Sequence, residues 1–397
     1  MNSWFQLSVW RCTLSCMTTT AFHAPLAVDG AIGGTRKDAY LVVTDSVVAE
    51  VTSTPPTGVD VVDCGDGILV PGYIDIHCHG ANATSYDVGS TEFEAVKQGH
   101  LSHGTTRGVM SFVTASVPRL VELIHEAREI SDPWLLGVHP EGPFLAESRK
   151  GAHDAALLID PEPAVVNALL DAAGGCIKQI TIAPERAHAM EAIERFAENG
   201  AVPAVGHTEC DYETAREAFD RGARILTHAF NAMPSIHHRA PGPVIAALRD
   251  PRVWIEVIND GVHVHPAVVR SLFEEAADRM VLVTDAMAAT NSPDGHYLLG
   301  ELDVTVKDGV ARLVDGGNIA GSTLTMDRAV ARAVTEVGVD VDVAVAAATS
   351  HPAEAIGVED KFGRLAPGYP ADFLVLDPQT YLPREVHTGR CQSGLLA

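Results

Sequence analysis

The sequence has little cysteine, little positive charge and no long apolar run. Its seven cysteines in 397 residues (12, 16, 64, 78, 176, 210 and 391) are odd in number and scattered, with no C-x-x-C pair. That pattern excludes a disulfide framework and predicts reduced thiols in a cytoplasmic protein. Lys and Arg number 28 against 52 Asp and Glu, a formal net charge of −24. Binding to a nucleic-acid backbone needs clustered cations, so a nucleic-acid partner is not expected. An anionic ligand would need a local cationic pocket or a metal. No uninterrupted apolar run approaches the ~20 residues of a membrane span. Residues 1–16 are broken by Arg11 and lack a basic start and a small-x-small cleavage site, so a secretory signal is not expected. Met17 offers a second candidate start, and residues 1–20 carry no further reading. Heptads, short repeats and low-complexity tracts are absent, which excludes coiled coils and solenoids. No G-x-G-x-x-G follows an apolar run, which argues against a doubly wound dinucleotide-binding sheet.

With 46% apolar and 20% charged residues, the chain can bury a sizeable core. Short β segments fall at 40–43, 47–51, 59–63 and 68–70, and similar material returns at 302–306, 310–314 and 372–377. Between them lie eight short apolar runs: 73–77, 105–113, 134–139, 177–183, 201–206, 224–228, 253–258 and 280–284. Amphipathic helical stretches separate most of these, at 91–103, 117–130, 162–173, 189–199, 211–221 and 266–277. The pattern predicts an α/β chain: a (β/α)8 TIM barrel over 71–300, with a small β-sandwich domain from both chain ends. That domain takes 21–70 and 301–397, with terminal helices near 323–356.

The polar residues stand just past the strand ends. His77 and His79 close the first run (IDIHCHG), and Glu141 follows the third (GVHPEGPF). His207 follows the fifth (AVGHT), His228 ends the sixth (ILTHAFNAM) and Asp285 ends the eighth (VLVTDAM). In a barrel these positions ring one mouth, where active sites are built. Imidazole suits Zn and Fe, and carboxylates complete such a shell, so one or two divalent ions are expected. His77 and His79, two apart on a strand, share a face, while Cys78 points to the opposite side as a buried apolar residue. A bound cation would activate water for hydrolysis, with Asp285 as the base that takes the proton and returns it to the leaving group.

These segments, with PGYIDIHCHG, HPEGPF followed by KGAH, THAFNAM followed by HHRAPG, and HPAEAIGVEDKFGRLAPGYPADFLVLD, resemble the amidohydrolase superfamily over about residues 25–380. Within it they resemble the N-acetylglucosamine-6-phosphate deacetylase branch. Most other branches carry a carbamylated Lys at the fourth strand, where this chain has ITIAPE. The resemblance implies hydrolysis of the N-acetyl group to give glucosamine 6-phosphate and acetate. It implies a main metal on Glu141, His207 and His228, and a second ion with His77 and His79 bridged through Glu141. Zn is the first expectation and Fe the second. It implies that Asn231, the amide of Ala232, Arg239 and His263 hold the phosphate, and that His153 contacts a sugar hydroxyl. A homodimer sharing its phosphate pocket between subunits is implied too. Segment 316–322 (GGNIAGS) resembles a loop that covers substrate, while 146–150 (AESRK) is assigned no role beyond lid contact. His139, His237, His238 and His265 are set aside as supporting or surface residues. The competing readings are another amidohydrolase, acting on N-acyl amino acids or cyclic amides without need of Arg239 and His263, and a non-catalytic scaffold, which would lack the ligands.

Overall fold

The computed structural model describes residues 18–389. Eight parallel strands form its centre: β1 (Tyr73–Cys78), β2 (Thr105–Phe112), β3 (Leu135–Pro140), β4 (Gln179–Ile182), β5 (Val202–Val205), β6 (Ile225–Leu226), β7 (Trp254–Ile258) and β8 (Met280–Val283). They fall in two sheets, β1-β2-β3 and β4 through β8, in sequence order. Isolated parallel bridges cross both seams, Val138 to Ile177 and Glu141 to Thr181 on one side, Cys78 to Ala286 on the other. One helix follows each of the first seven strands: α1 (Phe93–Leu101), α2 (Val117–Arg128), α3 (Pro163–Ala173), α4 (Ala189–Glu198), α5 (Tyr212–Asp220), α6 (Gly242–Arg249) and α7 (Pro266–Ala276). The sequence pattern anticipates six of them. It misses α6, whose GPVIAALR opens on Gly-Pro and shows no polar face to set a period.

Local chemistry explains the starts and stops. Ser116 accepts from the Arg119 amide at the head of α2, and Asp211 accepts from Thr214 at the head of α5. Such caps are worth about 1 kcal/mol each. Gly174 ends α3 in the left-handed region, which costs glycine nothing. Along α7, Val269, Leu272, Phe273 and Ala276 form the buried stripe that packs on the strands.

The strands alternate, and the alternation decides the site. Ile74, Ile76 and Cys78 of β1, Ile180 and Ile182 of β4, and Ile255 and Val257 of β7 belong to the apolar core. Their neighbours Asp75, His77, Gln179, Thr181 and Glu256 turn the other way: His77 and Gln179 both donate to Glu256, Thr181 pairs with Thr227, and Asp75 accepts from Thr284. The space inside the strands is therefore a hydrogen-bonded polar network, where barrels of this kind more often hold Val, Ile and Leu.

Both chain ends meet in one seven-stranded sheet. Its order runs Pro383–His387, Phe373–Leu376, Ile68–Pro71, Thr19–Val28, Thr35–Thr44, Val47–Thr52, with Asp60–Asp63 also paired to Thr19–Val28. Arg107 of β2 ties this sheet to the centre through Asp372, at 2.7 Å, and the carbonyls of Pro133 and Gly389. The segments near 302–306 and 310–314, assigned from the sequence to the terminal β domain, stand apart from it. Leu302–Lys307 and Val310–Leu313 join Gly295–Leu299 in a separate antiparallel sheet. Its apolar face (Leu299, Val304, Val306, Ala311) packs on Val113, Ala152 and Met287, beside the site, and that match of surfaces draws it away from the chain-end sheet. The helices expected near 323–356 are present as Met326–Arg332, Val341–Ala346 and Ser350–Ala355.

Cys64, Cys78, Cys176 and Cys210 are free thiols, and positions 12, 16 and 391, with Met17, lie outside the described residues. Among the described residues no helix is long and apolar enough to cross a membrane.

Candidate metal centre and substrate pocket

His77, His79, Glu141, His207, His228 and Asp285, drawn from five strand ends, converge in the structure. All six are buried. His207 Nε2 lies 3.1 Å and His228 Nε2 3.0 Å from Glu141 Oε1, and the two Nε2 atoms are 3.1 Å apart. His77 and His79 bring their Nε2 atoms to 3.2 Å from each other, with His79 Nε2 3.1 Å from Glu141 Oε2. Asp285 Oδ1 stands 3.4 Å from His79 Nε2. Two sets that meet the geometry of a metal site result, one of Glu141, His207 and His228, the other of His77, His79, Glu141 and Asp285, sharing Glu141.

The donor chemistry fits a cation. His207 Nδ1 donates to the Arg149 carbonyl at 2.8 Å, and His77 Nδ1 donates to Glu256 Oε2 at 3.3 Å. With the proton held on Nδ1, each Nε2 presents a bare lone pair toward the cluster. Each faces the Nε2 of a ring whose own Nδ1 has no partner, His228 for the first and His79 for the second, so that each close pair calls for a shared cation or proton. A tetrahedral shell with bonds of about 2.0 Å has edges of about 3.3 Å, close to these spacings. With no cation between them, Glu141 and Asp285 raise the pKa values of His77 and His79 against their burial, and the resulting positive charge holds the Asp285 carboxyl below its ordinary value against its own burial, so it is ionised at neutral pH. Glu141 is held down in the same way, against its burial, by His77 and the imidazoles bonded to it.

Three of these residues carry backbone strain. His207, His228 and Asp285 have φ of 47°, 25° and 49°. L-residues with side chains adopt that region at a cost of about 1–3 kcal/mol each, and it recurs where function fixes a side chain. The turn aims each group inward immediately after its strand ends.

The cluster floors a cavity of about 150 Å³ that is also lined by His153, Asn231, Ala232, His263, Leu299 and Ile319. His153 accepts from the Thr114 amide at Nδ1 and so carries its proton on Nε2, 3.5 Å from Glu141 Oε2. Burial pushes its pKa down to about 4, which keeps it neutral. His263 behaves oppositely. Burial alone would lower it, but its 2.7 Å bond to Asp260 outweighs that and raises its pKa. Asn231 turns its amide onto the carbonyls of His228 and Ala229. Arg239 is not brought into the cavity. It is exposed and bonds the neighbouring His238 at 2.7 Å.

Segment 316–322 reaches the cavity through Ile319 and Gly321, but is pinned rather than free. The Ser322 amide donates to the Asp285 carbonyl and the Ala320 amide to Ala311. Gly321 has φ of +60°, and a Cβ there would come within 3.0 Å of the Asp285 carbonyl oxygen, so any other residue would be strained and tightly packed at this position. His139, set aside from the sequence, lies fully buried beneath the cluster between Ser111 and Thr181. Three contributors escaped the sequence reading. Arg149, in the segment given no role, orients His207 through its carbonyl, while Gln179 and Glu256 sit inside strands. The only signal for those two was a polar side chain in an otherwise apolar run.

Buried imidazoles and carboxylates in this arrangement make a cluster able to hold a metal, the mark of a metal-dependent class of protein. The amidohydrolase family model matches residues 68–392, and the chain belongs to that family. It is 35% identical over 353 residues to N-acetylgalactosamine-6-phosphate deacetylase of Escherichia coli O157:H7, covering 87% of this chain and 92% of that protein. It is 32% identical to N-acetylglucosamine-6-phosphate deacetylase of Vibrio furnissii, covering 83% and 84%. Among solved structures, N-acetyl-D-glucosamine-6-phosphate deacetylase of Mycobacterium smegmatis, as an aspartate-to-alanine mutant in complex with N-acetyl-D-glucosamine-6-phosphate, superposes with a TM-score of 0.89 at 37% identity, over 93% of this chain and 98% of that one.

Proposed function

We propose that this chain hydrolyses the N-acetyl group of N-acetylglucosamine 6-phosphate, yielding glucosamine 6-phosphate and acetate. The observation that carries the reading is the convergence of four imidazoles, Glu141 and Asp285 beneath a cavity flanked by His263, in a chain similar throughout to deacetylases of this class. In this reading the eight strands, bridged at both seams, close a (β/α)8 barrel, and the terminal sheet is the small β domain.

Glu141, His207 and His228 would hold one divalent ion, and His77 and His79 with Glu141 a second. Zinc is the first candidate and iron the next. When bound, such ions lower the pKa of water and polarise an amide carbonyl. Asp285, ionised and facing the cavity, takes the proton of the attacking water and delivers it to the nitrogen as the C–N bond breaks. The His153 Nε2–H is placed to donate to a sugar oxygen. His263, whose pKa its bond to Asp260 raises, takes the phosphate together with Asn231 and the Ala232 amide. Arg239, exposed on its loop, completes a phosphate pocket across the interface of a cytoplasmic homodimer.

A second reading, N-acetylgalactosamine 6-phosphate as substrate, is favoured by the 35% identity to the Escherichia coli enzyme over 92% of its length. Acetate release from N-acetylglucosamine, its 6-phosphate and N-acetylgalactosamine 6-phosphate, with metal-loaded and chelated protein, tests both. Metal-dependent turnover confined to phosphorylated substrates is expected, fastest on the glucosamine compound. Faster turnover of the galactosamine compound installs the second reading. Turnover that ignores the phosphate removes both.

A further inference from the structure

Glu256 lies in the middle of β7, fully buried, in the run Trp-Ile-Glu-Val-Ile. An isolated carboxylate there is costly unless donors and a positive charge compensate it. The donors are present. Oε2 accepts from His77 Nδ1 at 3.3 Å and from the His228 backbone amide at 3.2 Å, and Oε1 accepts from Gln179 Nε2 at 2.7 Å. Among the described residues no Lys or Arg pairs with it, and its ion-pair contact is with His77. One carboxylate thus grips a ligand from each of the two metal sets, the ring of His77 in one and the backbone of His228 in the other.

We propose that Glu256 is a positioning residue for the ion held by His77 and His79. It fixes His77 with its proton on Nδ1 and Nε2 bare, and it supplies the negative charge that favours a second cation beside the first. His79 has no such support, since its Nδ1 has no hydrogen-bond partner. Orientation of the His77–His79 pair therefore depends on the His77 side. In the other set Glu256 holds only the backbone amide of His228, not its ring, and the ring of His207 is oriented separately, through its bond to the Arg149 carbonyl. Loss of Glu256 should then release one ion and spare the other. The inference rests on the metal centre described above but not on the identity of the substrate.

The experiment is zinc titration of metal-free full-length protein, with bound metal counted per chain, for wild type, Glu256→Gln and Glu256→Leu. Gln keeps an oxygen for His77 and the His228 amide while removing the charge, and its new amide nitrogen can donate to the unpartnered Gln179 oxygen once that side chain turns over, whereas Leu removes every acceptor. Wild type is expected to bind two ions. Glu256→Gln is expected to weaken one of them about 10- to 100-fold, the range for loss of a ligand's hydrogen-bonded partner, with the other unchanged. Glu256→Leu is expected to hold one ion only. Retention of Tm by Glu256→Gln identifies the effect as positioning rather than unfolding. Wild type binding a single ion overturns the proposal, as does a Glu256→Gln chain that holds two ions with wild-type affinity, or one that loses both equally. Because metal is counted without substrate, failure of the deacetylase reading leaves this test standing.

Discussion

The floor and the rim of the cavity are built differently. The floor is made of residues at strand ends, all buried, with short contacts among themselves and strained turns at His207, His228 and Asp285. The rim to which the proposed function gives the phosphate is carried on the loops after β6 and β7. There His263 leans on Asp260, Asn231 bonds its own backbone, and Arg239 stands in solvent. Groups that act on the reacting bond must be preorganised to fractions of an ångström, and strand ends supply that rigidity. Groups that grip a charged tail tolerate looser placement, since charge acts over longer distances.

The largest effect should come from the floor. Asp285→Asn preserves shape and removes the base, so kcat should fall about 10²- to 10⁴-fold, the usual contribution of such a group, while KM stays nearly unchanged. Steady-state kinetics on the phosphorylated substrate check it. A variant with normal kcat would take Asp285 out of the mechanism, and one with a raised KM alone would make it a rim residue.

The same contrast explains what the sequence discloses. The floor was legible because each of its residues follows a β-like run, and one architecture brings all such ends to one mouth. His-x-His, Glu, His, His and Asp therefore needed only the strand count to be placed together. Glu256 and Gln179 were not legible. Runs such as VWIEVI and IKQITI read as buried strands, and nothing local says that the polar member faces an interior of hydrogen-bonding partners. The role of Arg149 was invisible in principle, because it acts through a backbone carbonyl whose position depends on the fold. The left-handed turns at His207, His228 and Asp285 were hidden for a related reason, since tertiary contacts impose them against local preference. The separate sheet of Gly295–Leu313 went elsewhere than expected because alternation predicts strands and not which apolar surface they will cover.

At the rim the effects should be smaller and fall on binding. Arg239→Ala should raise KM for the phosphorylated sugar by about tenfold or more, as for loss of a charged hydrogen bond worth about 1.5–3 kcal/mol, with kcat held. Its exposure predicts an unchanged Tm in thermal melts. If Arg239 reaches the phosphate only across a subunit boundary, wild-type KM should also rise on dilution to the monomer. An unchanged KM in the variant would place the phosphate wholly on His263 and its neighbours.

The smallest and most specific effect is a displaced pH profile. Burial lowers the His263 pKa, but the bond to Asp260 more than reverses this, so its folded value lies above the ordinary 6.5. The imidazolium is therefore present below that raised value and lost as pH climbs through it. Phosphate affinity should follow, strong below that raised value and declining as pH climbs through it. Asp260→Asn removes the charge that lifts His263 and leaves the burial that depresses it. The loss of kcat/KM with rising pH should then move to lower pH, as when a charge partner within hydrogen-bond reach is removed. Below that range the variant and wild type should converge. The unphosphorylated sugar should show no such displacement, because it has no anion for His263 to meet. Identical profiles for the two proteins would mean that His263 does not carry the phosphate, and the rim would then owe its charge to Arg239 alone.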